Sequence, residues 1–380
     1  MFSVKEIEIL SDGKPDASCV YEASVISSGN YARIAAAMRK AQRGEKVVLV
    51  SLGGSVTEGG DADPKAECGY VPLVFEWWKK TFPNAWFETI NAGIGATGSI
   101  FGSARLERDV LVHKPDFVTV DFAVNDLSMK PYLYETFEGV VRRILSSNQQ
   151  TGIMLLFMTS RTFTNVDVLH IPTGLHYDLP MISMKNGFRY MVEKCGTDIH
   201  ELMGTSNYHP NNGGHSLMAD LICHELEKIK TSLDTVPNDI PPLPQSLFNT
   251  RFGNAQLIGP KEITPVENEG WEVSNDLYFA LKDGWTTAKS GAKLSFEVEA
   301  SAIFVNFLER RDARGGLARV YLDGVEIETL ENYFRWCGRI MQRLIFDGER
   351  SKHRVDIVFT GEPFQNGSGE FFDFFGLIIA

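Results

Sequence analysis

No stretch of this 380-residue chain approaches 18 consecutive apolar residues, so no segment reads as a membrane-spanning helix. The N-terminus Met1-Phe-Ser-Val-Lys-Glu-Ile-Glu-Ile-Leu10 alternates charge with apolar residues and lacks the long apolar core of a secretory signal. A soluble, cytoplasmic chain is the expectation. Excess positive charge is also missing. With 37 Lys+Arg against 49 Asp+Glu the formal net charge is −12, which attracts neither a phosphate backbone nor anionic lipid. Nucleic acid and membrane are therefore not expected as partners. Cysteine is scarce: Cys19, Cys68, Cys195, Cys223 and Cys337 are odd in number and show no C-x-x-C spacing, as reduced thiols without a metal role would. Neither metal nor cofactor is expected.

What is present suits an enzyme of two modest domains, since 380 residues exceed what one core usually fills. A helix is expected over Tyr31–Ala41, after Asn30. Strands and helices then alternate, with strands at Val47–Leu52, Trp86–Ile90, Phe117–Ala123, Ile153–Met158 and Leu179–Met184. Alternation of this kind implies a parallel sheet covered on both faces. Val236-Pro-Asn-Asp-Ile-Pro-Pro-Leu-Pro244 places four prolines in nine residues and reads as a stiff connector. Beyond it, Lys293–Glu299, Ala302–Phe307, Ala318–Gly324 and Val355–Thr360 alternate at period two between glycine turns, the pattern of an all-β sandwich or jelly roll. The expected division is an N-terminal extension over 1–29, an α/β domain over 30–232, a proline-rich linker over 233–247 and a β domain over 248–380.

The strand Val47–Leu52 runs directly into Gly53-Gly-Ser-Val-Thr-Glu-Gly59. Small residues around Ser55 allow a sharp turn at the carboxyl edge of a sheet, which exposes the hydroxyl and leaves nearby amides free for an oxyanion. Glycine-rich turns of this sort are common, so Ser55 needs partners. They lie in Asn91-Ala-Gly-Ile-Gly-Ala-Thr-Gly98, in Phe117-Val-Thr-Val-Asp-Phe-Ala-Val-Asn-Asp126 and in Ser206-Asn-Tyr-His-Pro-Asn-Asn-Gly-Gly-His215, before a helical run from Ser216 to Leu226.

Together these pieces resemble the blocks of the SGNH, or GDSL-type, hydrolases over about residues 30 to 230. The runs before the serine strand, and Leu179–Met184, are similar to those of bacterial polysaccharide-deacetylating esterases, among them two-domain acetylmannan esterases of gut bacteria. The resemblance implies an SGNH-like parallel sheet between helices, followed by the β domain. It makes Ser55 the nucleophile and His209 the general base, and it makes Ser55 N–H, Gly95 N–H and the Asn125 amide the oxyanion donors. The register of Gly93, Gly95 and Gly98 stays open. Asp126 is expected to anchor its loop, and His215 to lie near a helix start.

Three positions depart from the family pattern. Gly54 stands where an acid precedes the serine, and Ala123 replaces a glycine. Ser206-x-x-His209 replaces Asp-x-x-His, so the carboxylate that orients the histidine is missing. A Ser-His dyad backed by Ser206 or a backbone carbonyl is the reading taken; Asp198 or Glu201 swinging in, or a weakened catalyst, are the others.

The implied reaction removes O-acetyl groups from acetylated polysaccharide or oligosaccharide, with mannan favoured and xylan next. In the β domain, Tyr333-Phe-Arg-Trp336 offers Tyr333 and Trp336 as faces for a sugar, or else an aromatic cluster that packs on the core. Arg310–Gly316 reads as a solvated turn or a polar ligand contact. Two rivals remain. Gly93-x-Gly95-x-x-Gly98, with Asp121 23 residues later, approaches a dinucleotide-binding fingerprint. Alternatively, the fold is kept and the chain only binds carbohydrate.

Overall fold

The structure, a computed structural model, describes residues 16, 18–126, 130–364 and 367–380. The chain forms two compact units: one of the residues up to Gly102 together with Leu106–Asn249, the other of Ser103–Arg105 and Thr250–Ala380.

The first unit is built on six strands: β1 (Val25–Ser27), β2 (Lys46–Gly53), β3 (Trp86–Gly93), β4 (Phe117–Asp121), β5 (Gly152–Phe157) and β6 (Met181–Ser183). Their order is β1-β6-β5-β4-β2-β3, with β2 to β6 parallel and β1 antiparallel at the edge. Side chains alternate across the sheet. Val47 and Leu49 of β2 and Met154 and Leu156 of β5 enter one core with the helices Ala32–Gln42, Tyr70–Thr81 and Asn212–Thr231. Val48, Val50 and Leu52, with Ile153 and Leu155, enter the opposite core under the helix Pro131–Ser147. Burial on both faces explains the largely apolar runs of β2, β4 and β5. The chain leaves β2 for β3 on one side and returns to β4 on the other. The carboxyl ends of β2 and β4 therefore flank a topological switch point, where open α/β sheets place their ligands.

The strands fall where the alternation puts them, and two are shorter for local reasons. β6 stops at Ser183 because its hydroxyl accepts the Asn186 N–H and caps the next helix. β4 stops at Asp121 because its carboxylate accepts the Ala123 N–H and turns the chain.

Both flanks of the α/β domain need correction. Residues 18–29, expected as part of an N-terminal extension, belong to the unit: the helix Cys19–Ser24 buries Val20 in the core and β1 joins the sheet through β6. The proline-rich segment is not a free connector. Arg39 donates to the carbonyls of Leu233 and Val236, Arg33 to Pro241 and Arg142 to Pro244, while Glu138 accepts the Leu247 and Phe248 N–H groups. The segment is a strap fastened to the first unit.

The second unit is one antiparallel sheet of nine strands: β7 (Gln256–Ile258), β8 (Glu267–Glu269), β9 (Glu272–Ser274), β10 (Gly284–Thr287), β11 (Lys293–Glu309), β12 (Gly316–Leu322), β13 (Val325–Glu331), β14 (Arg339–Pro363) and β15 (Phe372–Ile379). β11 pairs with β8 at its start and with β15 at its end, and with β14 along its length, so the sheet wraps round one core of Trp285, Phe296, Phe307, Phe359, Phe372 and Phe374. The two segments Lys293–Glu299 and Ala302–Phe307 are a single strand. Bulges between Ala300 and Ala302 and between Ile303 and Phe304, not a turn, break their alternation. β12 and β13 are joined through Asp323 and Gly324, both at positive φ (52° and 84°), as a tight hairpin turn requires.

Candidate active site

β2 ends at Gly53, Gly54 follows as the N-cap, and Ser55 opens a single helical turn, Ser55–Glu58. Its N–H lies in the first turn, where amides lack intrahelical partners. Ser55 Oγ is 2.9 Å from His209 Nε2. The two residues are 154 positions apart, so the pairing exists only through the fold.

The histidine loop is held from three directions. Ser206 Oγ accepts the N–H groups of Tyr208 (3.1 Å) and His209 (2.9 Å). Gly204 N–H donates to the His209 carbonyl at 2.8 Å. Arg161, from the loop beyond β5, donates through its guanidinium to the carbonyls of Gly204 and Ser206, and its backbone N–H donates to Asn207. Ser206 thus braces the backbone and does not sit behind the imidazole. Asp198 and Glu201 are also spoken for, since they form a capping box on the helix Ile199–Leu202. The carboxylate that faces His209 is Asp61, with Oδ1 3.5 Å from Nδ1.

Asn125 follows β4 in a tight turn, and its N–H donates to the Phe122 carbonyl at 3.0 Å. Its Oδ1 is buried without a hydrogen-bond partner among the described residues, so Nδ2 is the edge of the amide with a donor to offer. A Cβ at Gly54 would lie 2.2 Å from that Oδ1. The acid the family carries before its serine has no room here. Asp126 anchors the turn: it accepts the Ser99 N–H at 2.9 Å and meets buried His170 at 3.1 Å. His170 in turn stacks on Phe137.

Among Gly93, Gly95 and Gly98, Gly95 is the one beside the serine, since a Cβ there would lie 3.8 Å from Ser55 Cβ. Its N–H is occupied: it donates to Glu58 Oε2 at 2.9 Å, while Lys65 lies 3.2 Å from the other carboxylate oxygen. His215 stands inside the helix Asn212–Thr231, fully buried; its Nδ1 accepts the Tyr70 N–H and its Nε2 donates to the Gly60 carbonyl at 3.0 Å. Burial pushes its pKa down, so the neutral ring that makes both bonds is favoured.

Asp121, the acid of the dinucleotide reading, is the last residue of β4 and is fully buried. It cannot reach a ribose. Among the described residues there is no cluster of three or more His, Cys, Asp or Glu side chains able to hold a metal, and no helix long and apolar enough to cross a membrane. The five cysteines are unpaired.

Tyr333 and Trp336 lie in the second unit, between β13 and β14. Trp336 is 65% exposed with the Arg335 guanidinium 4.2 Å from its ring centre, whereas Tyr333 is half-buried near Phe364. In the neighbouring loop, Arg310 pairs with Asp312 and Asp373 and Arg314 with Glu370. Asp61, Arg161 and Glu58 are the site residues sequence reading missed; the nearest signal was Gly59-Gly60-Asp61 directly after the serine turn.

No family model matches the chain. The acetylxylan esterase of Geobacillus stearothermophilus is 33% identical over 91 residues, which are 22% of this chain and 41% of that protein. The match thus spans about two fifths of the length of that curated relative. A solved two-domain esterase active on acetylated mannans superposes with a TM-score of 0.87 at 31% identity, covering 94% of this chain and 97% of that one. A second structure, of such an esterase co-crystallized with mannopentaose, gives 0.86 at 30% identity over the same shares. A likeness that runs through both units, at this identity, places the chain in the family of SGNH-type two-domain carbohydrate esterases.

Proposed function

We propose that the protein removes O-acetyl groups from mannan-type polysaccharide or its oligosaccharides through an acetyl-enzyme on Ser55, with acetylated xylan the next substrate class. The observation that carries this reading is the 2.9 Å contact between Ser55 Oγ and His209 Nε2 at the switch point of the sheet. The mannan preference rests on what the similar two-domain esterases act on.

In this reading Nε2 takes the serine proton as Oγ attacks the acetyl carbonyl carbon. The tetrahedral oxyanion is held by Ser55 N–H and Asn125 Nδ2. Gly95 N–H joins them once Glu58 has withdrawn, because a carboxylate left there would repel the developing charge. Protonated His209 then gives its proton to the departing sugar hydroxyl. Water, deprotonated by His209, attacks the acetyl-enzyme and releases acetate. Tyr333 and Trp336 are the candidates for the sugar chain in the second unit, Trp336 as the more exposed of the two.

The test is acetate release by the wild type and Ser55→Ala from acetylated mannan, acetylated xylan and an aryl acetate. Release by the wild type alone, fastest from mannan, is expected. Equal release by both would remove Ser55 from the mechanism. No release by either would leave a protein that binds carbohydrate without cleaving it.

A further inference from the structure

The structure departs from the family pattern at the group behind the histidine, and it offers a replacement. We infer that Asp61 is the positioning carboxylate of His209, supplied by the turn after the nucleophile instead of by the histidine's own loop. The inference rests on the role proposed for His209.

Asp61 Oδ1 lies 3.5 Å from His209 Nδ1, the ring nitrogen opposite the one that meets Ser55. That distance is an ion-pair contact longer than a formed hydrogen bond, and such contacts commonly tighten only when substrate is bound. The surrounding backbone is shaped for the contact. Asp61 sits at φ 62°, a left-handed conformation that Asp and Asn adopt more readily than other side chains. The Gly60 carbonyl is fixed by His215 Nε2, and Gly60 itself lies flat against the imidazole, where a Cβ would come within 3.0 Å of ring carbons. On the other side a Cβ at Gly204 would lie 2.3 Å from Asp61 Oδ2, so no side chain can stand between the two loops. The competing groups are engaged elsewhere: Ser206 with backbone amides, Asp198 and Glu201 with each other's cap, Glu58 with Gly95 and Lys65.

A carboxylate at Nδ1 holds the proton there, so that Nε2 is free to accept from serine, and it stabilises the imidazolium once formed. Both tasks can be read separately. Asp61→Asn keeps a residue suited to the left-handed turn and removes the charge. On an aryl acetate its kcat is expected to fall by roughly 10²–10⁴-fold with KM little changed, as loss of a triad carboxylate does. Independently of turnover, the ¹⁵N resonances of the His209 ring are expected to report the Nδ1–H tautomer in the wild type and a marked population of Nε2–H in Asp61→Asn. Asp63→Asn, at an exposed acid two residues on, should move neither. Identical tautomer populations in wild type and Asp61→Asn, or a kcat unchanged by the substitution, would overturn the inference. Because the tautomer is read without substrate, a failure of the esterase reading leaves this result standing or falling by itself.

Discussion

The replacement of an acid by Gly54 is a change of one residue with a geometric cause. The Asn125 carboxamide fills the space where a side chain at 54 would stand, with its oxygen inward. With its oxygen buried beside Gly54, the amide has its nitrogen as the edge left to donate when charge develops, which is what an oxyanion donor must do. Asn125→Ala is therefore expected to lower kcat by roughly 10²–10³-fold with KM nearly constant. Steady-state kinetics on an aryl acetate check this, and an unchanged kcat would take Asn125 out of the hole. Ser55, His209 and Asn125 were legible because each sits in a short block whose residue types and order are themselves distinctive. Asp61 and Glu58 were not. They lie six and three residues from Ser55, yet what each meets is decided by a left-handed turn and by which loop closes over it, and neither leaves a periodicity to read.

At the level of elements, β4 carries a cost inside the sheet. Asp121 accepts the N–H groups of Ala123 and Met158 with one oxygen, and its other oxygen is buried without a partner among the described residues. Burial, the dominant cause, pushes its pKa up from 3.8 to about 7. The folded chain thus binds this proton more tightly than the unfolded chain does. The resulting stabilisation is complete below about pH 3.8 and is lost as pH rises toward 7. Asp121→Asn keeps an acceptor for both amides and cannot ionise. Its melting temperature relative to wild type should climb as the pH is raised through that window and level off above it, as scanning calorimetry would show. A difference independent of pH would mean that Asp121 is not the titrating group. The strands were readable from largely apolar runs, but their ends were set by Ser183 and Asp121, which spend side-chain oxygens on backbone amides. In the second unit the long strand β11 read as two, because a bulge interrupts alternation much as a turn does.

At the scale of the whole molecule, the change from alternating strands and helices to period-two patterning showed two kinds of architecture, and both are present. In the second unit Trp336 is exposed with Arg335 over its ring, while Tyr333 is half-buried. If Trp336 carries a sugar, Trp336→Ala should raise KM for acetylated oligosaccharide several-fold, in line with about 1 kcal/mol for a stacked aromatic ring. Hydrolysis of a small aryl acetate should hardly change. Parallel losses on both substrates would assign the tryptophan to packing. The proline-rich strap reads from sequence as a stiff connector because proline has no N–H to give a fold, yet every one of its carbonyls remains an acceptor, and the arginines of the first unit use them.

That strap also decides where the molecule can be divided. A fragment ended at residue 232 would keep Arg33, Arg39 and Arg142 but discard the carbonyls that receive them, and would strip from Glu138 the two amides it binds. Arg39 would lose both carbonyls it meets, Arg33 and Arg142 would fall back on the Gln149 carbonyl and the Tyr177 hydroxyl, and Glu138 on the Tyr177 hydroxyl as its donor, a costly loss for a fold of ordinary marginal stability. A fragment that keeps the strap with the unit it fastens to has to run on to Asn249, beyond the prolines that look like the natural place to cut.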